Sequence, residues 1–94
     1  MNNQRKYKGT YGSKTPGKWT ARIYNQGRLL YLGLYSSQSD AAIAYDKACL
    51  YLRGRDTELN FSLSDYLDAR GEVIEDPIIR DRIESRSRMY GLER

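Results

Sequence analysis

Arg22 stands in the middle of a run, Lys18-Trp19-Thr20-Ala21-Arg22-Ile23-Tyr24, in which polar residues alternate with Trp19, Ala21 and Ile23. That period of two is the pattern of a half-buried strand, so Lys18, Thr20, Arg22 and Tyr24 share one face. A guanidinium held mid-strand can donate two parallel hydrogen bonds to guanine O6 and N7. Arg22 is therefore the candidate for reading a base, and its alternative role is to stabilise the sheet across strands. Lys8, Lys14, Lys18 and Arg28 are assigned to phosphates, which position a protein on a duplex without reading its sequence. Tyr24 and Tyr31 offer rings for sugar contacts and hydroxyls for phosphates, although β-propensity alone also accounts for tyrosines in strands.

The distribution of charge supports this assignment. Residues 1–36 hold seven cations (Arg5, Lys6, Lys8, Lys14, Lys18, Arg22, Arg28) and no Asp or Glu, a net +7. Residues 37–94 hold nine cations and twelve acids, a net −3. Segregation of this kind points to an anionic partner.

The sequence lacks histidine, which excludes His-containing zinc sites, Ser–His–Asp triads and Cys–His pairs. Asp65, Asp68, Glu72, Glu75 and Asp76 have no nucleophile or glycine cradle nearby, so no enzymatic activity, metal or cofactor is expected. A single cysteine, Cys49, excludes an internal disulfide and reads as a small buried hydrophobe. No apolar run is long enough to span a bilayer, and the N-terminus lacks a signal-peptide core. A soluble intracellular protein is expected.

The elements that must hold these residues follow in order. Residues 1–4 form a frayed start and residues 6–12 a short strand, with Gly9 marking a bulge or a close backbone approach. Residues 12–17 are a loop and residues 18–24 the second strand. Residues 25–27 make a tight hairpin with Gly27 at positive φ, and residues 28–35 are the third strand. An almost continuous apolar run blurs the alternation of that strand, and a bulge at Gly33 would re-aim Leu34 and Tyr35. Ser37 with Asp40 resembles a capping box, and Ala41, Tyr45, Ala48 and Leu52 form the apolar stripe of a helix that ends at Gly54. Trp19 reads as core, because it shares a face with Ala21 and Ile23. Asp46 and Lys47 read as exposed helix residues, with Asp46 able to pair locally with a strand cation.

The pieces Tyr7-Lys8-Gly9, GKWTARI (17–23), YLGLY (31–35), AAIAYDKA (41–48), Arg53-Gly54 and Leu59-Asn60-Phe61 resemble, in order and spacing, the APETALA2/ethylene-response-factor domain, also called integrase-type. The resemblance covers residues 6–61. It implies an α+β fold in which a three-stranded antiparallel sheet packs on one α-helix and the sheet enters the major groove of double-stranded DNA. It carries Lys8, Lys14, Lys18, Arg22, Tyr24 and Tyr31 onto family contact positions. Tyr11 and Leu29 stand where the family often has base-reading arginines, which puts the usual target sequence in doubt and leaves Tyr11 as a contact of different chemistry. The short hairpin at 25–27 looks more like versions in phage and mobile-element proteins than like those of plant factors. The implied function is sequence-specific DNA binding in transcription regulation, in the nucleus of a eukaryote or in the host cytoplasm if phage-encoded. The alternative is a protein-interaction module that keeps the fold without base readout; RNA or single-strand binding by stacked tyrosines is a third possibility.

Residues 62–94 lie beyond the resemblance as a helical extension. Residues 64–68 read as a helical turn, and Asp76-Pro77 as a helix start. Ile79, Ile83 and Tyr90 follow one face of the helix after it, with Ile78 and Met89 alongside and Gly91 ending it. Three roles compete: packing on the domain through Ile78 and Ile79, self-association or partner binding through residues from Pro77 to Tyr90, and phosphate contacts from Arg80, Arg82, Arg86 and Arg88. Asp81 and Glu84 dilute the positive charge, which favours the first two.

Overall fold

A computed structural model describes residues 6–89 of the chain. The expectations for residues 1–4, Arg5, Tyr90 and Gly91 fall outside the described residues. Strands β1 (Thr10–Gly12), β2 (Trp19–Asn25) and β3 (Arg28–Tyr35) form one antiparallel sheet in the order β1-β2-β3. Helix α1 (Gln38–Arg53) packs across one face of it. A 3₁₀ turn at Leu63–Tyr66 leads to helix α2 (Pro77–Met89), which packs on β3 and α1.

β1 is shorter than the sequence suggests, because the chain is still turning at residues 6–9. Gly9 has φ 77°, and a Cβ built on it would fall inside the Tyr45 ring. Of the two expectations for Gly9, the close backbone approach is the one realised. At the β2–β3 hairpin both Gln26 (φ 53°) and Gly27 (φ 80°) are left-handed, which suits a two-residue loop whose twist matches its strands.

The bulge lies next to Gly33. Pairing runs Trp19↔Tyr35, Thr20↔Leu34 and Ala21↔Gly33, then resumes at Arg22↔Tyr31, so Leu32 is the extra residue. An added residue resets the alternation downstream. Leu30 and Leu32 are both buried, while Leu34 turns outward and Tyr35 packs against the core.

The core is layered as the stripes require. Ala21, Ile23, Leu30 and Leu32 come from the sheet, and Ala41, Ala44, Ala48 and Cys49 from α1. Small residues on α1 let it lie close to the sheet, and Trp19, Tyr35, Tyr45, Leu52 and Leu59 close the margins. Ser37 caps α1 by accepting the Asp40 N–H at 3.1 Å, and Gly54 ends it by donating to the Leu50 carbonyl at 3.1 Å.

The extension joins this core. Asp76 caps α2 through its carboxylate, which accepts from the Ile78 and Ile79 N–H groups at 3.0 and 3.2 Å. Ile79 and Ile83 are buried, worth roughly 1.5–3 kcal/mol each in apolar area removed from water. Ile78, expected to pack beside Ile79, is instead 63% exposed, because the α2 face that meets β3 and α1 runs through positions 79 and 83.

Asp46 corrects another expectation. It is fully buried, and each carboxylate oxygen accepts two hydrogen bonds. Oδ1 takes the Asn60 N–H at 2.8 Å and its Nδ2 at 3.1 Å; Oδ2 takes the Phe61 N–H at 2.9 Å and the Tyr66 hydroxyl at 2.7 Å. Asn60 in turn accepts the Lys8 N–H at 2.7 Å and donates to the Lys8 carbonyl at 3.0 Å. The Leu59-Asn60-Phe61 segment is thus a clamp that ties the start of the described chain to α1. Lys47, also expected to be an ordinary exposed residue, pairs with Asp76 at 2.9 Å and ties α1 to α2.

Candidate nucleic-acid interface

The sheet face away from α1 carries the candidate contacts. Register places Tyr11 opposite Thr20, Thr20 opposite Leu34, Arg22 opposite Tyr31, and Tyr24 opposite Leu29, all on this face. The Arg22 guanidinium lies over the Tyr11 ring, 5.0 Å from its centroid. From α2, the Arg86 guanidinium lies over the Tyr31 ring at 5.4 Å. Together they form a row running Tyr11, Arg22, Tyr31, Arg86 across β1, β2, β3 and α2. Each cation–ring contact contributes about 0.5–1 kcal/mol at an exposed site. More to the point, the ring limits where a long side chain can swing while leaving its N–H edge available.

Among the described residues no carboxylate forms an ion pair with Arg22 or Arg86. The acids of α2 and of the residues leading into it are occupied elsewhere or unpaired: Glu84 accepts from the Tyr51 hydroxyl at 2.5 Å, on the α1 side of the helix. Glu75 is bound by Arg80.

The remaining predicted contacts divide. Tyr24 is 60% exposed near the hairpin end of the same face. Lys18, exposed just before β2, keeps the period of Thr20 and Arg22, and Lys14 is exposed on the preceding loop. That loop is closed by the Ser13 N–H donating to the Lys18 carbonyl and the Lys18 N–H to the Thr15 carbonyl, both at 3.1 Å. Arg28 pairs in register with Asn25 beside the turn, on the opposite period from Tyr31, so it does not join the row. Lys8 is engaged by Glu58 at 3.1 Å. Both side chains are substantially exposed, so the pair is worth at most about 1 kcal/mol and a phosphate can displace the carboxylate.

Arg86 joins this row, although sequence reading did not separate it from its neighbours. Its signal was the spacing Arg82–Arg86, four apart and therefore on one helix face. Arg82 is exposed along α2 but lays its guanidinium on the sheet edge: its Nη1 donates to the Leu32 carbonyl at 2.6 Å and to the Tyr35 hydroxyl at 3.3 Å. The Tyr35 hydroxyl donates to the same carbonyl at 2.9 Å, so the bulge oxygen is doubly satisfied.

Cys49 is fully buried, and burial pushes its thiol above the ordinary value, as expected of a small core hydrophobe. Among the described residues no group of three or more Cys, Asp or Glu is placed to hold a metal. No helix among them is long and apolar enough to cross a membrane.

No protein-family model matches the chain. Among curated proteins it is similar to APETALA2-like protein 2 of Oryza sativa subsp. indica, 39% identical over 62 residues, covering 66% of this chain and 14% of the relative. It is 42% identical over 65 residues to ethylene-responsive transcription factor WRI1 of Arabidopsis thaliana, covering 67% of this chain and 15% of the relative. An AP2-like ethylene-responsive transcription factor of the same plant is 43% identical over 75 residues, covering 78% of this chain and 21% of the relative. The chain therefore spans 14–21% of the length of these relatives.

Proposed function

Since this chain carries an APETALA2/ethylene-response-factor domain, we propose that it binds double-stranded DNA sequence-specifically through the outward face of its sheet, as a non-enzymatic transcription regulator. The observation that carries this reading is the row of Tyr11, Arg22 and Tyr31 on that face, with Arg22 steadied by an aromatic ring and paired with no carboxylate among the described residues. A sheet of this width fits the major groove, and a mid-strand arginine can reach guanine there. The relatives, named as transcription factors, support the same reading. Such a protein works where DNA is: the nucleus of a eukaryote, or the host cytoplasm if phage-encoded.

The test is selection of bound duplexes from a random pool by the full chain, followed by titration of the selected and a scrambled duplex. Preference for the selected duplex by at least about tenfold, roughly 1.4 kcal/mol, supports sequence reading. A second reading, a protein-interaction module, draws on the exposed Leu34 and Tyr24 on the same face. Absence of duplex binding at both low and moderate salt favours that one.

A further inference from the structure

Resting on the duplex-binding reading above, we propose that Arg86 is a phosphate contact contributed by α2, at the edge of the sheet beyond β3 and outside the six family motifs. Three observations carry it.

The first is that α2 is fixed against the sheet. Ile79 and Ile83 lie in the core, and Arg82 is bound to the bulge carbonyl of Leu32. One turn further on, Arg86 is delivered to the outward face over the Tyr31 ring at 5.4 Å. The second is how α2 and the residues leading into it distribute their charges. Glu84 faces Tyr51, Glu75 is held by Arg80 and Asp76 by Lys47, all away from the row. Asp81 lines the same shallow cleft as Arg86, but no ion pair joins them. The third is width. Neighbouring strands lie about 4.8 Å apart, so three strands span about 10 Å between outer axes. The major groove is about 12 Å wide. A cation reaching in from beyond β3 therefore meets the groove wall, where the phosphates are, rather than the base edges on its floor.

The experiment measures binding of the full chain to the selected and the scrambled duplex across a salt series. Each neutralised phosphate adds roughly 0.9 to the slope of log K against log salt. Arg86→Gln is expected to lower that slope by roughly one such step on both duplexes, leaving the ratio between them unchanged. Arg86→Lys, which keeps the charge and the packing on Tyr31, restores the slope and separates loss of charge from any loosening of α2. A wild-type slope for Arg86→Gln, or a changed ratio at constant slope, overturns the proposal while leaving duplex binding intact. Failure of the wild-type chain to bind any duplex overturns both.

Discussion

The Arg82 guanidinium occupies the space that a side chain on Gly33 would fill. A Cβ built on Gly33 falls inside it, and Gly33 also has φ 125°, a conformation that side-chain-bearing residues rarely adopt. The bare backbone thus lets an α2 side chain reach the Leu32 carbonyl that the bulge takes out of the β2–β3 pairing. Gly33→Ala is expected to suffer both backbone strain and eviction of Arg82, at a combined cost of about 2–4 kcal/mol. Gly27→Ala is the control: its φ is 80°, but nothing lies within 4 Å of its Cβ, so only strain of about 1–2 kcal/mol applies. Urea unfolding of both variants measures the difference, which should narrow to the difference in backbone strain when Arg82→Ala is added to each.

The sheet and α1 were legible in the sequence because each obeys a local rule. Period two placed Trp19, Ala21 and Ile23 inward, Ser37 and Gly54 bounded the helix, and Gly33 marked the bulge that turns Leu34 out. Asp46 was not legible because its burial depends on Asn60, Phe61 and Tyr66, 14 to 20 residues away. Its only local trace is Ala42 at i−4 and Cys49 at i+3, two small residues that leave room beside the helix. Which residues of β3 face out was not legible, because its apolar run hides the alternation that sets Arg28 on the opposite period from Tyr31. The contact between Tyr31 and Arg86 follows from the docking of α2, which no motif encodes.

Asp46→Ala removes the single acceptor group of four hydrogen bonds and leaves two backbone N–H groups and the Tyr66 hydroxyl to find water. Hydrogen bonds to a charged group contribute about 1.5–3 kcal/mol each and are not additive, so a total loss of about 3–5 kcal/mol is expected. The same variant should free the Lys8 backbone from its Asn60 clamp. Amide hydrogen exchange at Lys8, Asn60 and Phe61 checks this directly, and protection equal to wild type would mean that the clamp does not depend on Asp46.

Tyr66 gives an alkaline signature. Burial, reinforced by the Asp46 carboxylate that its hydroxyl donates to, pushes its phenol far above the ordinary value. A group whose pKa is raised by folding lends stability below its unfolded pKa, about 10 for tyrosine, and that stability drains away as pH rises beyond it. Ultraviolet titration should therefore show one tyrosine ionising only as the protein unfolds. Tyr66→Phe should remove that late step and lessen the fall in stability above pH 10.

Asp76 gives the acidic counterpart. Burial alone would raise its carboxyl, but the Lys47 ammonium and the Ile79 and Ile78 N–H groups together hold it below the ordinary value. A depressed carboxyl contributes stability that is complete above the unfolded pKa and is lost as pH falls through the folded one, so the window opens just below about pH 4. Protonation there releases both the N-cap of α2 and the tie to α1. Asp76→Asn is expected to be less stable than wild type at neutral pH and to show a flatter decline below pH 4. Stability curves that run parallel down to acid unfolding would remove Asp76 from this role.

The row makes its own prediction about Tyr11, which stands where the family often places an arginine. Its ring lies against the Arg22 guanidinium at 5.0 Å, so, on the proposed duplex-binding reading, it is expected to act on discrimination by orienting Arg22. Arg22→Ala should then lose about 1–3 kcal/mol of preference for the selected duplex, the range of a good bidentate base contact. Tyr11→Ala should lose a smaller part of the same preference, and Tyr11→Phe almost none, because the ring and not the hydroxyl steadies the cation. Lys18→Ala should weaken selected and scrambled duplexes alike. The decisive measurement is the double variant: if Tyr11 acts through Arg22, adding Tyr11→Ala to Arg22→Ala costs nothing further in preference. A full additional loss would make Tyr11 an independent contact with the DNA.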